Sequence, residues 1–273
     1  MNYLDDLLFW VNERERIRIK KNRGDPQPWT DDPILQEYRF CNVHREDDKV
    51  TQWIRDNWLR PNQHRPTLPF AACVARMVNL PETLEELGYP HKWDPNHFIE
   101  ILKNRKERGE KVWTSAYMIT GGFSKGGESK EVIIARVLSQ AHENLMNIPI
   151  IGGDTLAGAA EKIKCSGIGT FLSAQVVADL KYLEPLHWAT DWHTWCAPGP
   201  GSTMGLNFLH GRNPLTSINA DQFIKEVNQV RSIISSSLNT TLCAQNTQNC
   251  LCEFSKYVRA KHFNKRLKTK YRP

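Results

Sequence analysis

Asp191 is the residue whose neighbours best equip it for chemistry. It lies in Thr190-Asp191-Trp192, with Trp188 and Trp195 close by in sequence. A carboxylate in a partly apolar setting can stabilise a developing positive charge, or orient and deprotonate a water. Indole faces beside it offer stacking surfaces for a planar ring. Asp179 is a second carboxylate, expected on a helix and equally suited to bracing a basic partner. Further back, Arg39, Asn42, Arg45 and Asp48 gather forked guanidinium and amide groups around the start of a helix. Such groups fit phosphate or base-edge recognition, and they also fit a buried polar network.

Metal chemistry is not expected. Six residues separate Cys243 from Cys250, but only one separates Cys250 from Cys252, and no fourth cysteine follows to complete an iron–sulfur set. His187, His193 and Cys196 match no standard zinc spacing. The run Gly121–Gly127 has a phosphate-loop gap, yet Gly127 stands where that loop requires lysine, so it reads as a connector. No cofactor is implied.

The elements that must position these residues are helices. Leu4, Leu7, Leu8, Val11, Ile17 and Ile19 suggest an amphipathic first helix ending before Gly24-Asp25-Pro26. Helical patterns recur over 49–59, 68–79, 95–108, 129–146, 154–163, 170–182, 220–238 and 247–262, with Ser129 and Asp154 as candidate N-caps. The one weak strand candidate is Val112–Ile119. The segment Glu184–Thr216 reads as irregular, and its length points to function.

Within Leu156–Leu180 two helical patterns flank Cys165-Ser166-Gly167-Ile168-Gly169. Glycines there allow a tight turn and let phosphate oxygens approach the amides of the second helix, while Ile168 plugs the space between the helices. Lys164, Gly167, Ile168, Gly169 and Thr170 are therefore the expected DNA-binding residues, with Lys162 adding charge.

The chain has 273 residues, 40% hydrophobic and 24% charged, enough for one large domain or two packed helical lobes. No apolar run approaches a membrane span, and Asp5 and Asp6 sit where an export signal needs positive charge. Seven cysteines without framework spacing read as free thiols in a reducing cytoplasm. The net charge of +6 is unevenly placed: eight Lys or Arg and no acid lie between Lys256 and Pro273, and Arg14–Arg23 forms a second basic run. Basic runs at both ends suit a polyanionic partner.

The hairpin, the aspartate 24 residues after Gly167 and the Pro198-Gly199-Pro200-Gly201 stretch together resemble the helix-hairpin-helix DNA glycosylase superfamily. Phe171 occupies the position at which bifunctional members carry a lysine, so the resemblance does not imply lyase chemistry. A wider resemblance rests on Tyr38–Asp48, Gly167-Ile168-Gly169, Asp179, Asp191, Pro198–Gly201 with Gly205-Leu206, and Gln248–Tyr257. These residues are similar to the α-glutamyl/putrescinyl-thymine pyrophosphorylase-like family, which includes the helical domain of 5-hydroxymethyl-deoxyuridine DNA kinases. That resemblance implies modified pyrimidines of phage DNA, and it adds Gln248, Asn249, Glu253 and Lys256 on the last helix to the candidate site. No counterpart of the kinase domain is read in the sequence.

The expected fold is all-α and helix-hairpin-helix glycosylase-like, a single unit over residues 1–273 made of two helical lobes with a cleft between them. About 66–183 form one lobe, ending in the hairpin at 156–180; about 1–65 with 184–273 form the other, with the active-site loop and basic tail. The leading functional expectation is a cytoplasmic, monofunctional DNA glycosylase that hydrolyses the glycosidic bond of a modified pyrimidine flipped from duplex DNA, in phage modification or anti-phage defence. Asp191 and Asp179 are its expected catalytic carboxylates. Arg39, Asn42, Arg45, Trp192, Gln248, Asn249, Glu253 and Lys256 are expected to line the base pocket. Two alternatives are a transferase placing an amino acid or amine on the 5-methylene carbon, and a non-catalytic DNA-recognition module of a base-modifying kinase system.

Overall fold

The computed structural model describes residues 3–114, 127–267 and 269–271. Among the described residues the chain is all-α, with twelve α-helices, short 3-10 and π turns, and no strand beyond two isolated bridges. The glycine-rich connector lies outside the described residues except Gly127. Of the expected strand at 112–119, only 112–114 are described, and they are not extended pairing partners. The chain divides into two compact units: Met1–Asp48 with His193–Pro273, and Lys49–Trp192. The segment 49–65, expected with the termini, thus belongs to the middle unit.

The terminal unit contains α1 (Tyr3–Arg23), α2 (Pro33–Glu37), α10 (Pro200–Leu209), α11 (Ala220–Leu238) and α12 (Ala244–Phe263). Acids Asp5 and Asp6 open α1 while Lys20, Lys21 and Arg23 close it, as the helix dipole favours. Its inward face puts Leu7, Trp10 and Val11 into a core with Phe40, Leu206, Phe223, Leu251, Phe254 and Tyr257. The α10–α12 approach is unusually close. A Cβ on Gly205 would run into the Leu251 carbonyl oxygen, and one on Gly201 would stand 2.5 Å from Cys252 Sγ. Glycines four apart on α10 are therefore required by helix packing. That corrects the reading of Glu184–Thr216 as irregular: Pro200 opens a ten-residue helix inside it.

The middle unit contains α3 (Lys49–Trp53), continued by a π turn over Ile54–Leu59, then α4 (Leu68–Val78), α5 (Pro81–Leu87), α6 (Pro95–Glu107), α7 (Lys130–Asn147), α8 (Leu156–Ile163) and α9 (Thr170–Leu180). Every residue of α4 is buried, so it is the unit's central helix. Asn79 ends it in the left-handed conformation, φ 51°. Thr155, rather than the expected Asp154, caps α8 by accepting from the Gly158 N–H at 3.0 Å. Asp154 is held instead by Lys162 at 2.7 Å. Ser129 precedes α7 without a side-chain cap bond.

Candidate nucleic-acid interface

In the middle unit the turn between α8 and α9 closes on itself, the Cys165 and Ile168 N–H groups each donating to the other's carbonyl at 3.1 and 2.9 Å. Gly167 has φ +98°, and a Cβ there would meet Val137 on α7 at 2.5 Å, so two independent constraints demand glycine. Ile168 is fully buried and plugs the hairpin, whereas Ser166, Gly169, Thr170 and Phe171 are exposed. Gly169 leads into α9 with no side-chain cap, and nothing lies within 4 Å of where its Cβ would stand. The outward side of this turn is open backbone.

Both flanking lysines meet a carboxylate. Lys162 is neutralised by Asp154 and donates to the Pro149 carbonyl, and Lys164 pairs with Glu161 at 2.5 Å. What the hairpin offers an anion is mainly its amides.

Both expected catalytic carboxylates are engaged in structure. Asp191 accepts from the Leu156 and Ala157 N–H groups at 2.7 and 3.0 Å, which makes it an anionic cap on the N-terminus of α8. Asp179 is 2% exposed and receives a two-pronged contact from the equally buried Arg76 guanidinium. Arg76 also donates to Asn79 and to Thr51, each at 3.1 Å, and Asn79 donates to Thr114 at 2.8 Å. Arg76, Thr51 and Asn79 do not stand out in the sequence. The one signal was a lone arginine within the otherwise apolar run Leu68–Val78.

The tryptophans near Asp191 part company. Trp192 donates to the Lys181 carbonyl at 2.8 Å, and its ring lies 4.1 Å from the buried Lys181 ammonium. Trp188 is 80% exposed and touches His187, while Trp195 belongs to the terminal unit.

The remaining candidates all lie in the terminal unit, where the 39–47 segment is laid along α12. Asn249 donates to the Asn42 carbonyl at 3.3 Å, and Asn246 accepts from the Arg45 N–H at 3.3 Å. Glu253, almost fully buried, accepts from the Cys41 N–H and from Lys256. Arg14 on α1 donates to the carbonyls of Phe40 and Cys41 and to the Asn42 side chain. Gln248 donates to the buried Ser202 hydroxyl at 3.2 Å. Burial opposes the Lys256 charge, but the Glu253 carboxylate more than offsets it and raises the ammonium above its ordinary range. Burial first, and then Glu253, push the Cys252 thiol up to about 11. Asn42, Asn249, Glu253 and Lys256, with the Arg45 backbone, thus join the 39–47 segment to α12, while Gln248 ties α12 to α10. Arg39 is exposed.

The basic tail is tied down. After α12 ends at the left-handed Asn264, the Arg39 N–H donates to the Thr269 carbonyl at 3.1 Å and the Tyr271 N–H to the Glu37 carbonyl at 2.9 Å. Tyr38 and Lys270 form the antiparallel bridge of this pairing.

A family model described as the helical domain of 5-hmdU DNA kinase matches residues 1–266. The chain belongs to that family. It is 32% identical over 232 residues to a 5-hmdU DNA kinase of Bacillus phage SP10, a match covering 74% of this chain and 36% of that protein. The chain therefore spans about a third of the length of this curated relative. No solved structure matches it. The kinase kinship overturns the glycosylase expectation: a kinase transfers a phosphoryl group and leaves the glycosidic bond intact. The hydrolase role expected of Asp191 and Asp179 falls with it.

Proposed function

We propose that this chain is the DNA-recognition module of a base-phosphorylating system, binding duplex DNA that carries 5-hydroxymethyl-deoxyuridine. The observation that carries this reading is the family match across residues 1–266. The phosphoryl donor is handled by a nucleotide-binding phosphotransferase unit that works alongside the helical module. Rotation of the modified nucleotide out of the stack would present its hydroxymethyl group to that unit.

On this reading the α8–α9 turn is a sequence-independent grip. Backbone N–H groups at the exposed Ser166, Gly169 and Thr170 donate to phosphate oxygens, and contacts of that kind position a protein without reading bases. Asp191 and the Arg76–Asp179 pair are positioning residues: one fixes the start of α8, the other locks α9 against α4. All seven cysteines are free thiols, in keeping with a reducing compartment. No described helix is long and apolar enough to cross a membrane.

The test is equilibrium binding to three duplexes of one sequence, carrying thymine, uracil or 5-hydroxymethyluracil at a single position. A hydroxyl read by hydrogen bonding should favour the modified duplex by about 10-fold or more. Equal affinity for all three would refute the assignment. Hot-alkali treatment of the same mixtures should leave every strand intact, since no abasic site forms.

A further inference from the structure

The excess positive charge is concentrated in one unit. Residues 1–48 and 193–273 hold 19 Lys or Arg against 14 Asp or Glu, whereas residues 49–192 hold 17 against 16. Within the terminal unit, two basic runs that lie at opposite ends of the sequence meet. Lys20 on the last turn of α1 donates to the Trp29 carbonyl at 2.9 Å. The Lys21 ammonium lies 5.6 Å from the ring centres of both Trp29 and Tyr271, and those rings meet edge to face at 6.0 Å. Tyr271 in turn is hydrogen-bonded through its backbone to Glu37, one residue from the Tyr38–Lys270 bridge. A cation between two rings and a backbone pairing thus hold the tail against the end of α1.

These contacts bring the basic end of α1 and the basic tail together on one side of the terminal unit. Lys20, Lys21, Arg23, Arg39 and Arg266 are all exposed, and none of the five has an ion pair with an acid among the described residues. Lys270 faces Glu37 at 3.0 Å, but both side chains are about half exposed or more, so the pair is weak and exchangeable. The Lys270 hydrogen bond, helped by Arg266, holds the Glu37 carboxyl below its ordinary range, in line with a positive local field. By contrast, Lys162 beside the α8–α9 turn is held by the largely buried Asp154, although Lys164 has only the exposed Glu161 as its partner.

We propose that the joined end of α1 and C-terminal tail form a phosphate-binding surface for the DNA backbone, supplying most of the module's salt-dependent affinity. This rests on the DNA-recognition reading above and adds to it a place and a source of affinity. Lysine and arginine on a fixed surface release counterions when they meet phosphates, whatever the base sequence.

The experiment measures duplex affinity of the full chain from 50 to 300 mM salt, for the native protein and for Lys20→Gln/Lys21→Gln/Arg266→Gln. Each phosphate pairing contributes roughly 0.9 to the slope of log K against log salt, so removing three should flatten it by about 2.7. Affinity near 0.15 M salt should fall about 100-fold. A matched control, Lys92→Gln/Lys103→Gln on exposed positions of the middle unit, should bind as the native chain does. An unchanged slope in the triple variant overturns the proposal, and so does an equal effect in the control. Lysine acetylation of the native protein adds a check that needs no variant: bound DNA should shield Lys20 and Lys21 but not Lys92 or Lys103. Uniform acetylation overturns the proposal as well. If the native chain binds DNA through this surface without preferring the modified duplex, the recognition reading fails and the surface stands.

Discussion

Gly167→Ala separates the two roles that glycine can play in the α8–α9 turn. At φ +98° an alanine is strained, which costs about 1–2 kcal/mol. Its Cβ would also stand 2.5 Å from Val137 Cγ2 and 2.8 Å from Cγ1, and forcing a methyl into a packed site costs about 1–3 kcal/mol more. The expected loss is therefore about 2–5 kcal/mol. With a urea m-value of about 2 kcal/mol/M, the midpoint should fall by roughly 1–2.5 M. Gly169→Ala is the control. Gly169 has φ −82° and ψ −175°, and nothing lies within 4 Å of its Cβ position, so any residue is accommodated. Its stability should change by less than about 1 kcal/mol, because the weaker N-cap is offset by a less flexible unfolded chain. Adding Val137→Ala to Gly167→Ala removes the two clashing methyls. A double-mutant cycle should then show a favourable coupling of about 1 kcal/mol or more. Equal midpoints for Gly167→Ala and Gly169→Ala, or a cycle with no coupling, would refute the claim that Val137 and the positive φ dictate this glycine.

Asp191→Asn should cost about 0.5–2 kcal/mol in urea unfolding, because it removes the anionic cap on the Leu156 and Ala157 amides. Arg76→Met alone should cost about 3–5 kcal/mol by leaving Asp179 charged and buried, whereas Arg76→Met/Asp179→Leu should recover most of that loss; thermal melts of the two variants decide it. Burial raises the Asp6 carboxyl, but hydrogen bonds from Lys261 and His262 outweigh it and hold the group below its ordinary value of 3.8. A depressed carboxyl stabilises the fold fully above that value and loses its contribution as pH falls through the lowered one. Asp6→Asn should therefore destabilise at pH 7 and match the native protein near the acid end of a pH series of urea melts.

Local pattern carried the helices. The 3.6-residue spacing of Leu4, Leu7, Leu8 and Val11 located α1, and the span 220–238 coincides with α11, because amphipathic periodicity and capping residues are properties of neighbouring positions. The tight turn at Gly167 was legible for the same reason. Glu184–Thr216 misled because Pro198-Gly199-Pro200-Gly201 reads as loop chemistry. Only the approach of α12 explains why Gly201 and Gly205 must lack side chains inside a helix.

Charge and chemistry are where sequence and structure diverge most. Sequence alone determined an all-α chain with an open glycine turn and a basic excess at its two ends. It could not say whether Asp191 and Asp179 were free to react. That depends on whether backbone amides or a guanidinium reach them, and those groups come from positions 34 and 103 residues away. Nor could it tell that Lys162 beside the turn is neutralised by Asp154 while Lys20 and Lys21 at the end of α1 face no carboxylate among the described residues. Tertiary structure decided both points, since a side chain's availability depends on which partners the fold brings within hydrogen-bonding distance.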